Sequence, residues 1–548
     1  MPVIRLALSR LEALTGLDKD EITNILFDLK CEAEEVEPGI LEVEVNADRP
    51  DMLIGEGIAR AIKGITGRET GYKPSPTYTT DLTVKVGSTG SRRYIGAAVV
   101  ENVNVDEEFL AELIQFQEKL HVTFGRRRRK AAIGFHDLSK IPCRSMEYKY
   151  MDPSQVSFKP LHGEHEMTGL EVIRSTEQGS LYGSINLEDG RHPFLLSCGE
   201  VIAMPPVINS DRTRVEPGTR DLFIDVTGPD RRTVEKVLDV IVSNLAERPG
   251  AKIGLVKIHY DWGEEAYTPP LKELELELDP IYTLNLLGFS IPPEEQASLL
   301  ERMRHRAVLK KGTIKVTTPP YRVDVLGPVD LVEDIAMAYG YHNIPLRTGW
   351  PIVRGRLTRR SIIARRLSYI MVGMGFTETL QLVLTGPSST PSPLSVKDMV
   401  EVENPVMAEY SIMRNSLLPG LLQVAKANIS ASKPVKAFEI GPTVERRGGE
   451  VIESWKIGIM YMDDEASYED IQAVVYKLLR IAGLEPRAEP SSHPLLIPGR
   501  TAAVYHGEDY LGVMGETRPE VLVELGIEYP VLLAEMDLDR IIRVMSNE

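Results

Sequence analysis

Residues 319–340 read Pro-Pro-Tyr-Arg-Val-Asp-Val-Leu-Gly-Pro-Val-Asp-Leu-Val-Glu-Asp-Ile-Ala-Met-Ala-Tyr-Gly. The alternation Thr313 to Thr317 just before them predicts a strand. Asp330 to Tyr339 predicts a helix that Gly340 ends, because glycine tolerates the turn past the last helical residue. Asp324 lies beyond the strand. Asp330, Glu333 and Asp334 stand three and four apart in the first helical turn, towards one side. Carboxylates converging there would suit Mg²⁺, a hard cation that prefers oxygen. The structural alternative is strong, since Asp330 with Glu333 has capping-box spacing and acids favour a helix N-terminus anyway. Upstream, Asp279 caps a helix carrying Ile281, Leu284 and Leu287 that Gly288 stops, and Pro292 to Leu309 predicts a second helix. Residues 269–348 therefore form a small winged-helix-like unit.

Three further segments lie outward from this one. In residues 1–80, Ser9 with Glu12 and Asp18 with Glu21 match N-cap boxes, and Ile40 to Val45 alternates as a strand. Asn46 to Pro50 is a turn, and Ile54, Ile58, Ala61, Ile62 and Ile65 mark a helix face. Pro74 to Thr80 reads as a linker. Residues 81–268 mix strands, among them Val201–Met204 and Leu222–Val226, with a helix from Glu107 to Leu120. Asp261 to Pro270 reads as a boundary. Residues 349–548 open with a long basic helix and contain a polar loop, Thr385 to Ser395. The fold class is α+β multidomain.

The 548 residues carry 63 Lys+Arg against 80 Asp+Glu, a net charge of −17, which argues against a protein that wraps nucleic acid by charge alone. Hydrophobic residues at 43% exclude disorder. Cys31, Cys143 and Cys198 are too few and scattered for a disulfide framework or a thiolate zinc site, so a reducing compartment is expected. The start, Met-Pro-Val-Ile-Arg-Leu, lacks a signal-peptide core, and no run reaches the roughly 18 apolar residues of a membrane span. A cytoplasmic protein without membrane attachment is expected.

Chemistry is sparse. No Walker loop, Gly-x-Ser-x-Gly elbow or zinc-spaced His/Cys set occurs, so a self-contained hydrolase or kinase finds no support. Asp225 and Thr227, two apart on a strand, point to one face and could grip a polar group or a water. A strand end running into the turn at Gly228-Pro229 explains them equally. The run Arg126 to Lys130 could pair with phosphate or simply be a solvated loop. His136-Asp137 suggests acid–base work or a turn hydrogen bond.

The whole chain resembles the phenylalanyl-tRNA synthetase β-subunit family in its archaeal and eukaryotic form. Carrying the resemblance are Glu44-Val-Asn-Ala-Asp-Arg-Pro-Asp-Met-Leu53, Gln117-Glu-Lys-Leu-His121, Ile133-Gly-Phe-His-Asp137 and Met204-Pro-Pro-Val-Ile-Asn-Ser210. Further matches are Tyr321-Arg-Val-Asp324 with the helix to Gly340, Arg414-Asn-Ser-Leu-Leu-Pro-Gly-Leu-Leu422 and Phe438-Glu-Ile-Gly441. The resemblance implies a small N-terminal α+β domain, a mixed α/β editing-type domain, the winged-helix-like unit and a C-terminal class II synthetase-like antiparallel sheet with helices. It implies an α subunit that makes the adenylate from ATP and phenylalanine, an (αβ)₂ heterotetramer, and tRNA(Phe) as substrate. It implies Mg²⁺ at Asp324, Asp330, Glu333 and Asp334, in a site shared with the α subunit, and hydrolysis of mischarged tyrosine at Asp225 and Thr227. Ala203 and Pro229 depart from the family's editing pattern, where a serine and a threonine are expected. Two other readings remain: an RNA-binding assembly scaffold that does not edit, and a Mg²⁺-dependent phosphohydrolase on the acidic quartet.

Overall fold

Every residue of the strand Leu222–Gly228 is buried, so the segment must be covered on both faces. Leu222, Ile224 and Val226 pack with the helices Glu107–Val122 and Arg231–Leu245. Phe223, on the opposite face, packs with Ile95, Ala97, Val99 and Ala203. The strand lies between Tyr94–Glu101 and Ala132–Asp137, antiparallel to both, and Asp225 stands opposite Ala97 on one side and Gly134 on the other. Ala132–Asp137 is the edge of a ten-stranded sheet that continues from Tyr94–Glu101 through Lys252–Tyr260, Thr77–Val86, Ser145–Met151, His192–Ser197 and Glu200–Met204 to Ile208–Asn209.

The computed structural model describes residues 1–87, 90–346, 349, 355–392, 394 and 399–547. The chain divides into two units, Met1–Thr348 and Gly349–Glu548. In the first, a sheet of Val3–Ala7, Ile40–Glu44 and Glu32–Glu37 packs with helices Leu8–Thr15, Lys19–Asp28 and Gly55–Ile65. A second small sheet, Leu274–Leu278, Thr313–Thr318 and Arg306–Lys310, packs with helices Pro293–Arg302 and Pro328–Tyr339. One continuous hydrophobic cluster joins both to the helix-covered face of the large sheet. In the second unit, a seven-stranded sheet whose longest strands are Val435–Arg447 and Glu450–Met462 is antiparallel except at Thr377–Glu378. Its core lies in two clusters, one with Arg359–Gly373 and Tyr468–Ile481, the other with Leu418–Ala427. No helix among the described residues is long and apolar enough to cross a membrane.

Several expectations need correction. The helix at the start runs Leu8–Thr15 with Ala7 at the N-cap position and no side-chain cap, so Ser9 is not a cap; Asp18 with Glu21 is a complete capping box. The linker Pro74–Thr80 is half strand, because Thr77–Thr79 pair with Ile253–Leu255. The boundary Asp261–Pro270 contains Glu265–Thr268, hairpinned onto Lys252–Tyr260. The helix Pro292–Leu309 ends at Arg302, where Arg304 turns left-handed (φ +68°) and the chain returns as the strand Arg306–Lys310. Cys143 and Cys198, far apart in sequence, form a disulfide with Cα atoms 5.7 Å apart; Cys31 is free and buried. The polar loop Thr385–Ser395 falls partly outside the described residues.

Charges are buried where the segments of the first unit meet. Glu112 is 5% exposed; its Oε1 lies 3.3 Å from Nε of Arg10, which also contacts Glu56. Burial outweighs the attraction of Arg10 and pushes the Glu112 carboxyl up to about 7 from an ordinary 4.5. The folded chain therefore holds this proton between about pH 4.5 and 7 while the unfolded chain releases it, and stability falls as pH rises through that window. The full penalty, on the order of 3 kcal/mol, is reached above it. Glu112→Gln should raise the unfolding temperature by a few degrees at pH 8 and leave it nearly unchanged at pH 4.5. Equal effects at both pH values, or a loss at pH 8, would contradict this role for Glu112.

Candidate functional site

Asp225 projects from the middle of its fully buried strand and lines a cavity of about 610 Å³ at the edge of the large sheet. Two local features make the room. Position 134, directly across from Asp225, is glycine, and a Cβ there would sit 2.2 Å from Oδ1 of Asp225 and 2.8 Å from Nε2 of His136. The edge strand contributes Ala132, Ile133, Gly134 and Phe135 to the lining, with the two small residues on the alternating positions that include 134. The opposite walls come from Leu113, Ile114 and Gln117 of the helix Glu107–Val122 and from Pro205–Ser210.

His136 holds the acid. Its Nε2 lies 2.8 Å from Oδ1 of Asp225 and its Nδ1 2.7 Å from Oγ1 of Thr213, and all three side chains are buried. A carboxylate only accepts, so His136 donates from Nε2 to Asp225, and Thr213 holds the other side of the ring. This fixes one oxygen of Asp225 and leaves the other for a water or a ligand hydroxyl. The sequence pairs His136 with Asp137. The structure instead gives Asp137 to the Thr219 hydroxyl (2.9 Å) and to the turn at Ser139.

Thr227 is placed differently from Asp225. It is fully buried and does not line the cavity. Its hydroxyl accepts from Nε of Arg92 (2.9 Å) and its carbonyl from Nη2 (2.7 Å). Arg92 is itself wholly buried, donates also to Asn186 Oδ1 and the carbonyl of Arg128 (both 3.1 Å), and is pushed down to about 10 by desolvation. Sequence reasoning missed Arg92, which stands in an unremarkable Ser-Arg-Arg-Tyr run; only the fold brings it beneath Thr227. Ala203 packs in the core on that side of the sheet and is not a wall residue.

The edge strand's outward backbone groups are capped by side chains of the cavity. Gln117 Nε2 donates to the carbonyl of Ile133 (2.6 Å), and the Ile133 N–H donates to Nε2 of His121 (2.8 Å). Burial lowers the His121 pKa, consistent with a ring that accepts there and donates from Nδ1 to Glu118 (3.1 Å). Although burial would raise the Glu118 carboxyl, His121 and Arg128 hold it below its usual range. Arg128 closes this wall through Glu118 (2.7 Å) and the carbonyls of Pro206 (3.2 Å) and Val207 (2.9 Å).

The acidic quartet does not converge. Asp324 is bound twice over by Arg322, whose Nη2 also donates to Asp334 (2.9 Å). Asp334, 1% exposed, receives His305 Nε2 at 2.6 Å; burial alone would raise its carboxyl, but Arg322 and His305 draw it down to about 2. Asp330 reaches back to the N–H groups of Leu326 (2.8 Å) and Gly327 (2.9 Å), capping its own helix without Glu333. Glu333 accepts from Tyr341 (2.5 Å) and Lys30 (3.0 Å). Among the described residues no group of three or more His, Cys, Asp or Glu could hold a metal ion. An ion bridging Asp324 and Asp334 would have to displace the guanidinium between them, so the donor set as placed does not fit Mg²⁺.

Two family models match the chain: the phenylalanyl-tRNA synthetase β chain CLM domain over residues 348–538, and the tRNA synthetase B5 domain over 276–341. The chain is 51% identical, over the full length of both, to a phenylalanine–tRNA ligase β subunit of Aeropyrum pernix. It is 38% identical to that of Saccharolobus islandicus over 97% of each. Among solved structures, an N-terminal fragment of the phenylalanyl-tRNA synthetase β subunit from Pyrococcus horikoshii aligns with TM-score 0.59 at 36% identity, covering 62% of this chain and 99% of the fragment.

The pairing of the quartet carries its own test. The unfolding temperature of the isolated chain should be the same in millimolar Mg²⁺ and in EDTA; a rise of several degrees with Mg²⁺ would mean that the carboxylates leave Arg322 and chelate.

Proposed function

Because the chain belongs to the phenylalanine–tRNA ligase β-subunit family, and is therefore an aminoacyl-tRNA ligase subunit, we propose that it works with an α subunit in an (αβ)₂ assembly. In this proposal the α subunit makes phenylalanyl-adenylate with ATP, and the cavity at Asp225 hydrolyses tyrosine from mischarged tRNA(Phe). An editing site answers a physical limit: a phenylalanine pocket rejects one added hydroxyl poorly, whereas a second site that binds the hydroxyl can discriminate.

The observation that carries the hydrolytic reading is a buried carboxylate, oriented by His136 and Thr213, at the wall of a cavity large enough for a small ligand. Asp225 is suited to orient the attacking water or accept its proton as the ester bond to the ribose breaks. Its other candidate role is to accept from the tyrosine hydroxyl. Thr227 enters as a positioning residue through Arg92. Support for a partner chain comes from the second unit, which exposes Tyr369, Leu380, Leu382, Val406 and Met407. Mg²⁺ at Asp324, Asp330, Glu333 and Asp334 has less support, for the internal pairing described above opposes it. The alternative of a scaffold without editing is favoured by the near-complete burial of Asp225, 2% exposed.

Co-purified with its α subunit, the chain should support phenylalanine charging and clear Tyr-tRNA(Phe). Asp225→Ala should lower that clearance on the order of 100-fold or more with charging intact. Gly134→Ala should do nearly the same by pushing Asp225 off His136. A parent complex that charges normally but leaves Tyr-tRNA(Phe) intact would establish the scaffold instead.

A further inference from the structure

The run Arg126–Lys130 follows the helix Glu107–Val122 and takes the left-handed conformation at three successive non-glycine residues, with φ of +48°, +52° and +62° at Arg126, Arg127 and Arg128. Each such residue costs about 1–2 kcal/mol, so the surroundings must hold the turn. They do so through the N–H of Lys130 on the carbonyl of Gly125 (2.8 Å), the N–H of Arg128 on that of His121 (3.2 Å), and buried Arg92 on the carbonyl of Arg128 (3.1 Å).

The turn sorts the side chains. Arg128 points inward, where it braces the cavity wall and lies over the Tyr182 ring, 4.4 Å from its centroid. Arg126, Arg127, Arg129 and Lys130 stay exposed on either side of it. Within the run, Arg128 is the member that takes part in a salt bridge among the described residues. Of the acids at this surface, Glu118 is taken by Arg128 (2.7 Å), and Asp230, whose charge Lys130 favours, caps its own helix. A chain with net charge −17 thus concentrates exposed cations beside the cavity that contains Asp225.

We infer that Arg126, Arg127, Arg129 and Lys130 form a docking surface for the phosphates of an RNA strand whose aminoacylated 3′ end enters the Asp225 cavity. This rests on the hydrolytic reading of that cavity. Guanidinium groups pair with phosphate oxygens in bidentate fashion, and their anchoring to a strained, braced turn presents them with little loop entropy left to lose. Phosphate pairing positions the strand without reading its bases, as suits a surface that delivers one chain end.

The test uses the αβ complex and an acceptor-stem minihelix carrying tyrosine on its 3′ end through a stable amide, with affinity measured across salt concentrations. R126Q/R127Q/R129Q/K130Q should weaken binding on the order of 10-fold or more near 0.1 M salt. The salt slope should become shallower by about 0.7 for each phosphate of a single strand that the variant no longer neutralises. The variant R126K/R127K/R129K should keep most of the affinity and the slope, which separates charge from turn folding. Unchanged affinity and slope in the quadruple glutamine variant would overturn the proposal. The two readings fail separately. A parent complex that does not clear Tyr-tRNA(Phe), while the glutamine variant loses minihelix affinity, sinks the hydrolytic reading and keeps the surface; a parent that clears it, with the variant binding as tightly, sinks the surface alone.

Discussion

Arg60 is the residue on which the first unit turns. Its guanidinium is buried, stacks over the ring of Tyr321 at 3.6 Å, and donates to Asp51 (3.3 Å) and to Asn244 Oδ1 (2.9 Å). One cation thereby touches the N-terminal segment, the helix Arg231–Leu245 and the loop between the strand Thr313–Thr318 and the helix Pro328–Tyr339. Asp51 is held also by Nε and Nη2 of Arg49, and these cations keep its carboxyl at about 2 despite complete burial. Packing leaves no slack here: a Cβ on Gly57 would lie 1.7 Å from the Asp51 carbonyl oxygen. Removing one member of such a buried set typically costs about 3–5 kcal/mol, because the remaining charge stays in place unpaired.

The consequence reaches the cavity through the helix Arg231–Leu245. Its far end carries Asn244, held by Arg60; its apolar face packs with Ile224 and Val226 of the strand that presents Asp225. On the strand's other face, His136 bonds Asp225 and Arg92 bonds Thr227. Asp225 is therefore positioned by packing and hydrogen bonds whose origin lies in three separate stretches of sequence, which holds it on rigid elements.

Local chemistry was legible in the sequence, and long-range pairing was not. The capping box at Asp18 and the stop at Gly288 were readable because their partners lie within four residues. Leu222–Gly228 could be read as a strand, yet nothing local says that Gly134 stands across from Asp225, or that His136 reaches it over 89 residues of sequence. The acidic quartet shows the limit of spacing, which says which carboxylates share a helix turn but not which cations face them. Arg322, two residues from Asp324, and His305, on another element, supply those partners. Family resemblance supplied the editing and partner expectations that spacing alone could not.

The most direct test is a structure of the αβ complex with a stable amide analogue of 3′-tyrosyl adenosine. The tyrosyl group should lie inside the cavity, its carbonyl or hydroxyl within hydrogen-bond reach of Asp225, with the His136–Asp225 contact of 2.8 Å intact. The same analogue seen only outside this cavity, at concentrations that saturate binding, would contradict a hydrolytic role for Asp225.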